Sequence, residues 1–127
     1  MVKITVGTDC GNAPKREFLK NLNIALVENN IDYLSESVTD DVVWHMIGEN
    51  VIEGKADFIS ALEQMQEVTP TELVITKVIT HGREGAVNGT ITMSDGKRYA
   101  FADVYEFSGA KGTHIKSIES YVIEIQA

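Results

Sequence analysis

The chain reads as an α+β domain in which three short helices precede a strongly curved antiparallel β-sheet. Two observations predict this. Apolar residues recur at helical spacing up to Pro70, and beyond it four β-favouring runs are separated by turn signals. Size supplies the third constraint. At 127 residues the chain suits one domain with one core, and it contains no repeat, low-complexity tract or Pro/Gly-rich linker to mark a second. Residues 1–127 are therefore read as a single domain, with residues 1–12 a short extra strand or a flexible arm.

The elements follow in order. Val2–Val6 is a possible short strand. Asn12 and Pro14 mark a helix start, and Phe18, Leu19, Leu22, Ala25 and Leu26 form one apolar stripe that carries the helix to about Glu28. A short second helix fits Ile31–Ser37, with Ile31, Leu34 and Val38 facing inward. Val42-Val43-Trp44-His45-Met46-Ile47 is rich in β-formers and ends at Gly48, so it is expected to be a strand. A third helix starts near Lys55, places Phe58, Leu62 and Met65 on one face, and must stop before Pro70, which cannot continue it. Four strands then occupy 72–80, 86–93, 97–107 and 114–125. Their connections are Arg83-Glu84-Gly85, Ser94-Asp95-Gly96 and residues 108–113, and the Asp95-Gly96 pair tolerates the positive φ of a tight hairpin. Helices on one face of such a curved sheet leave a conical cavity between the layers.

Charge and composition exclude several function classes. The net charge of −8 disfavours nucleic acid and anionic membrane surfaces, because both are held mainly by Lys and Arg, and the only basic clusters are the pairs Lys15-Arg16 and Lys97-Arg98. No apolar run approaches the roughly 20 residues of a membrane helix, and the N-terminus lacks a signal-peptide core, so a cytoplasmic protein is expected. Cys10 is the only cysteine, which rules out an internal disulfide and a paired-thiol metal site. His45, His81, His114 and Cys10 show no ligand spacing, so no metal is expected. The glycines around 109–112 lack a phosphate-binding fingerprint, and no nucleophile elbow is present. No cofactor is expected.

The most informative segment is Tyr99–Phe107. Side chains alternate along a strand, so Tyr99, Phe101, Asp103, Tyr105 and Phe107 share one face, and one carboxylate sits in a row of aromatics. Burial there disfavours the charged form and would hold Asp103 partly or wholly protonated, able to donate a hydrogen bond. A competing reading places Asp103 near a sheet edge or ties it to a tyrosine hydroxyl for structure alone. His45 is the candidate base: a mostly neutral imidazole can take a proton from a carbon α to a carbonyl. Asp103 would then donate to the enolate oxygen or, if ionised, fix the tautomer of His45. Trp44 alternates away from His45 and either packs on a helix or encloses a flat ligand.

The order helix, helix, strand, helix, meander resembles the nuclear transport factor 2-like superfamily, and within it the SnoaL-like polyketide cyclases and ketosteroid isomerases. The residues that carry the resemblance are Asp40-Asp41-Val42-Val43-Trp44-His45, Gly54 before the third helix, Asp103-Val104-Tyr105-Glu106-Phe107 and Ile115-Lys116-Ser117-Ile118. The resemblance implies a cystatin-like cone, an acid at Asp103 and a base at His45. The first-helix tyrosine of the isomerases is replaced near Asn21 and Leu22, leaving Tyr99 or Tyr105 as alternative donors. The implied activity is cofactor-independent isomerisation or cyclisation of a small apolar carbonyl compound. Trp44, Phe58, Leu62, Tyr99, Phe101, Tyr105, Ile118, Ser120 and Val122 are the expected pocket residues. A non-catalytic binding or dimerisation module on the same fold is the alternative, with a hydrolase or dehydratase behind both. The β-branched outer face of the meander, including Val74, Thr76, Val78, Thr80 or their alternates, predicts a homodimer through the sheet.

Overall fold

The computed structural model of the chain describes residues 2–7, 14–64, 69–109 and 114–125. The expected positions Met65, Cys10 and Asn12 lie outside the described residues. In chain order the elements are β1 (Lys3–Val6), α1 (Pro14–Glu28), α2 (Ile31–Glu36), β2 (Val38–Met46), β3 (Asn50–Glu53), α3 (Lys55–Gln64), β4 (Pro70–His81), β5 (Glu84–Met93), β6 (Arg98–Phe107) and β7 (Ile115–Ile125). The strands form one sheet in the order β1-β4-β5-β6-β7-β2-β3. The meander is antiparallel as expected, whereas β1 joins β4 and β2 joins β7 in parallel. Strand β3 was not foreseen, because Asn50-Val51-Ile52-Glu53 is too short and mixed to announce itself; it folds back on β2 through a turn at Gly48.

Helix α1 ends where its side chains dictate. Asn29 adopts a left-handed φ of 58°, Asn30 N–H reaches back to Ala25 O at 2.9 Å, and Asn29 N–H bonds Leu26 O at 3.4 Å. That arrangement satisfies the last carbonyls and turns the chain directly into α2. Asn30 then caps α2, its side-chain oxygen accepting from Tyr33 N–H at 3.2 Å. Leu19, Leu22 and Ala25 of α1 are buried against the sheet, and each leucine contributes about 1.5–3 kcal/mol. Two boundaries differ from the sequence reading. Val38 is buried as expected but opens β2 rather than closing α2, since it pairs with Ile115. The β4–β5 turn falls on Gly82-Arg83, while Gly85 sits inside β5 beneath Leu19.

Curvature comes from register shifts in β4, β2 and β6. The shift between Ile75 and Lys77 moves the alternation of β4 by one: Leu73 and Ile75 face the core before it, and Val78 after it. Val78 therefore leaves the expected outer face, where Val74 and Thr76 remain. At this bend the strands approach so closely that a Cβ on Gly89 would lie 1.9 Å from Val74 O. Only glycine fits there.

Candidate functional site

The helices close one side of the curved sheet over a cavity of about 980 Å³. Its floor is the inner face of β6 and β7. The β6 register sets Asp103 opposite Val87 on β5 and Ser120 on β7, and two residues along the same face Tyr105 stands opposite Ile118. Asp103 is 8% exposed and lines the cavity. Trp44 and Met46 enter from β2, and Asn23 and Leu26 from α1.

Around Asp103 the polar groups form one connected set. Trp44 Nε1 donates to Ser120 Oγ at 2.9 Å, and Ser120 stands directly across from Asp103, where its hydroxyl favours the carboxylate. On the other side Tyr105 OH donates to Asp103 Oδ2 at 3.3 Å, and Asn23 Nδ2 donates to Tyr105 OH at 3.1 Å and to Leu19 O at 2.9 Å. Burial pushes the Asp103 carboxyl up to about 6, against the pull of the Ser120 and Tyr105 donors, which favour the carboxylate. The phenol of Tyr105 is pushed well above its ordinary range, first by its own burial and then by the Asp103 charge. It stays a donor. The direction expected from the aromatic row is found: burial makes Asp103 a weaker acid than a free aspartate.

Not all expected site residues meet here. Asp103, Trp44, Leu62, Phe101, Ser120 and Val122 line the cavity. Tyr105 and Ile118 are buried on the same inner face but outside the lining, and Phe58 lies behind Trp44, their rings 5.4 Å apart edge to face. Tyr99 is half-buried and is not part of the lining. His45 is the main correction. It is exposed and stands across from Val51 on β3 and Glu119 on β7, whereas its neighbour Trp44 points inward, so it cannot reach a molecule held at Asp103.

Asn23 is the residue that sequence reasoning missed. It stands at i+4 from Leu19 in the stripe Leu19–Leu22–Leu26, and a polar side chain on that buried face was the available signal. The lower rim, from Val2, Leu73, Ile91 and Met93, also escaped notice because the parallel β1–β4 pairing brings it together. Three carboxylates, Glu28, Glu49 and Asp103, lie among the described lining residues, which include no Lys, Arg or His. Among the described residues no three His, Cys, Asp or Glu side chains gather as a metal would require.

Solved structures share this architecture. An NTF-2 like protein of unknown function from Burkholderia xenovorans LB400 superposes with a TM-score of 0.75 at 14% identity, over 89% of this chain and 85% of that one. A candidate ketosteroid isomerase from Kribbella flavida DSM 17836 gives 0.74 at 16% identity, over 89% and 80%. A candidate polyketide cyclase from Sinorhizobium meliloti gives 0.71 at 14%, over 89% and 99%. Identities this low carry the fold and not the chemistry. A search of curated proteins finds no match. The model of the SnoaL-like domain matches residues 16–115, a stretch that runs from the first turn of α1 to the start of β7 and includes Asp103, so the chain belongs to the SnoaL-like family of the nuclear transport factor 2-like fold.

Proposed function

We propose that this chain is a cofactor-independent isomerase or cyclase in which Asp103 alone moves the proton. The observation that supports it is a carboxyl group 8% exposed in the floor of a 980 Å³ cavity, with a pKa of about 6. A base of this strength is mostly ionised at neutral pH, yet holds a captured proton firmly enough to return it at another atom. The names of the isomerase and cyclase neighbours agree with that chemistry.

The lining narrows the substrate. Both amide hydrogens of Asn23 and the indole N–H of Trp44 are already engaged, and no Lys, Arg or His stands among the described lining residues to receive an oxyanion. With only the neutral side-chain donors Asn29 and Thr69 left in the described lining to meet a developing enolate, the site favours a carbon that is already acidic, such as one flanked by two carbonyls, where the substrate spreads the charge itself. Three carboxylates without a cation disfavour an anionic substrate. The reading is a flat, neutral, largely apolar dicarbonyl compound.

The test is a screen of such compounds for isomerisation or ring closure. The expected kcat/KM rises with pH through about 6 as Asp103 ionises, and Asp103→Asn lowers turnover by about two to four orders of magnitude with binding nearly intact. Full turnover in Asp103→Asn would remove the assignment. Tight binding with no turnover across the screen would favour the binding module. The exposed apolar residues of the outer sheet face, Ile79, Val104, Tyr121 and Ile123, support the companion proposal that two copies pair through the sheet.

A further inference from the structure

We propose that Trp44 and Asn23 are positioning residues for Asp103, each acting through one hydroxyl that it turns toward the carboxylate. The argument is a count of hydrogens. An indole N–H only donates, so Ser120 Oγ must be the acceptor at 2.9 Å from Trp44 Nε1. The one hydrogen of Ser120 is then left for Asp103, which stands directly opposite it across the β6–β7 pairing. On the opposite side, Leu19 O only accepts, which fixes the Asn23 amide with its nitrogen toward that carbonyl. The second hydrogen on Nδ2 points at Tyr105 OH, so the phenol oxygen is an acceptor there and its own hydrogen faces Asp103 Oδ2.

Two relays therefore converge on one carboxylate: Trp44 through Ser120 from β2 and β7, and Asn23 through Tyr105 from α1 and β6. Free hydroxyls rotate, and either could otherwise turn its hydrogen away from the carboxylate. Capping their oxygens removes that freedom. β5 presents Val87, and β6 presents Phe101 beside Tyr105; among the described residues Tyr105 is the titratable group bonded to Asp103, while Glu28 and Glu49 are exposed members of the cavity lining.

The inference rests on Asp103 as the acting base, but its test reads proton affinity and needs no substrate. Carboxyl-labelled protein is titrated by carbon NMR. Ser120→Ala should raise the Asp103 midpoint by about one pH unit, because loss of a donor disfavours the charged form. Trp44→Phe, which keeps a ring against Phe58, should raise it by about half a unit in wild type and by nothing in the Ser120→Ala background. Asn23→Ala should behave in the same way toward Tyr105→Phe, and the two relays should add. A Trp44→Phe shift of equal size with and without Ser120 would mean that the indole acts by excluding water, and would overturn the proposal.

If Trp44→Phe fails to fold, the unmodified protein still decides. Trp44 is the only tryptophan, so its indole N–H gives one resonance. That resonance should shift with the same midpoint as Asp103, and its exchange with solvent should speed up at least tenfold in Ser120→Ala. An indole resonance indifferent to Asp103 ionisation would overturn the relay. Coupling found alongside an active Asp103→Asn variant would sink the catalytic reading alone; an inactive Asp103→Asn without coupling would sink the relay alone.

Discussion

Replacing Asp103 by Asn should change how stability depends on pH, in a direction opposite to the usual carboxylate. The folded chain holds the Asp103 proton to a pKa of about 6, while the unfolded chain releases it near the ordinary 3.8. Between those values the native state binds more protons, so this group's stabilisation is complete below the unfolded value and is lost as pH rises through the folded one. Two pKa units at about 1.4 kcal/mol each make the full difference roughly 3 kcal/mol, of which about 2 kcal/mol falls between pH 4.5 and 7.5. Urea unfolding of wild type and Asp103→Asn across that range isolates the term, because other carboxylates are common to both and cancel in the difference. With a slope of about 1.5–2 kcal/mol per molar urea, the wild-type midpoint should fall by about 1 M relative to the variant. At pH 7.5 the variant should be nearly as stable as wild type, since the amide escapes the burial penalty while losing part of the bonding to Tyr105 and Ser120. A pH-independent difference would show that Asp103 titrates normally, and would remove the physical basis for its role as a base.

Three other outcomes follow. His45→Gln should leave turnover of any substrate within about twofold of wild type, checked by steady-state kinetics, because its side chain faces away from the cavity. Light scattering at micromolar concentration should report a dimer for wild type and a monomer for the Tyr121→Glu/Ile123→Glu double variant, which places charges on the outer face; a monomeric wild type would end the sheet-pairing proposal. Gly89→Ala should destabilise the fold by about 3 kcal/mol in denaturant unfolding, since its methyl would meet the Val74 carbonyl and neither backbone can yield cheaply.

Much of the architecture was legible because its signals are local. The stripe in α1, the Asp95-Gly96 hairpin and the alternation of β6 each specify an element without reference to the rest of the chain. What stayed hidden depends on distant partners. The parallel pairings of β1 with β4 and β2 with β7 bring together residues 69 or more positions apart, for instance Lys3 with Glu72. The polar set around Asp103 is of the same kind. Asn23 meets Tyr105 across 82 positions and Trp44 meets Ser120 across 76, so none of these contacts has a spacing to be read. The aromatic row could announce a buried acid beside a tyrosine hydroxyl, but not the bonds from Trp44 to Ser120 and from Asn23 to Tyr105.

The misplacement of His45 shows how firmly strand parity constrains a site. Val42, Trp44 and Met46 occupy alternate positions and turn inward, which sends Val43 and His45 to the other face. Bringing His45 into the cavity would take a slip of one residue, turning Val42 and Trp44 out to water and breaking the bond from Trp44 to Ser120. Exposing those two side chains alone costs about 5 kcal/mol, which leaves such a state populated at about one part in several thousand. A base available that rarely would forfeit nearly all of the rate gain that general-base catalysis provides, about two to four orders of magnitude. In the proposed mechanism the proton-moving role therefore falls to a residue of the inward parity, and among the described inward residues of β2, β6 and β7 that line the cavity Asp103 is the one ionisable side chain.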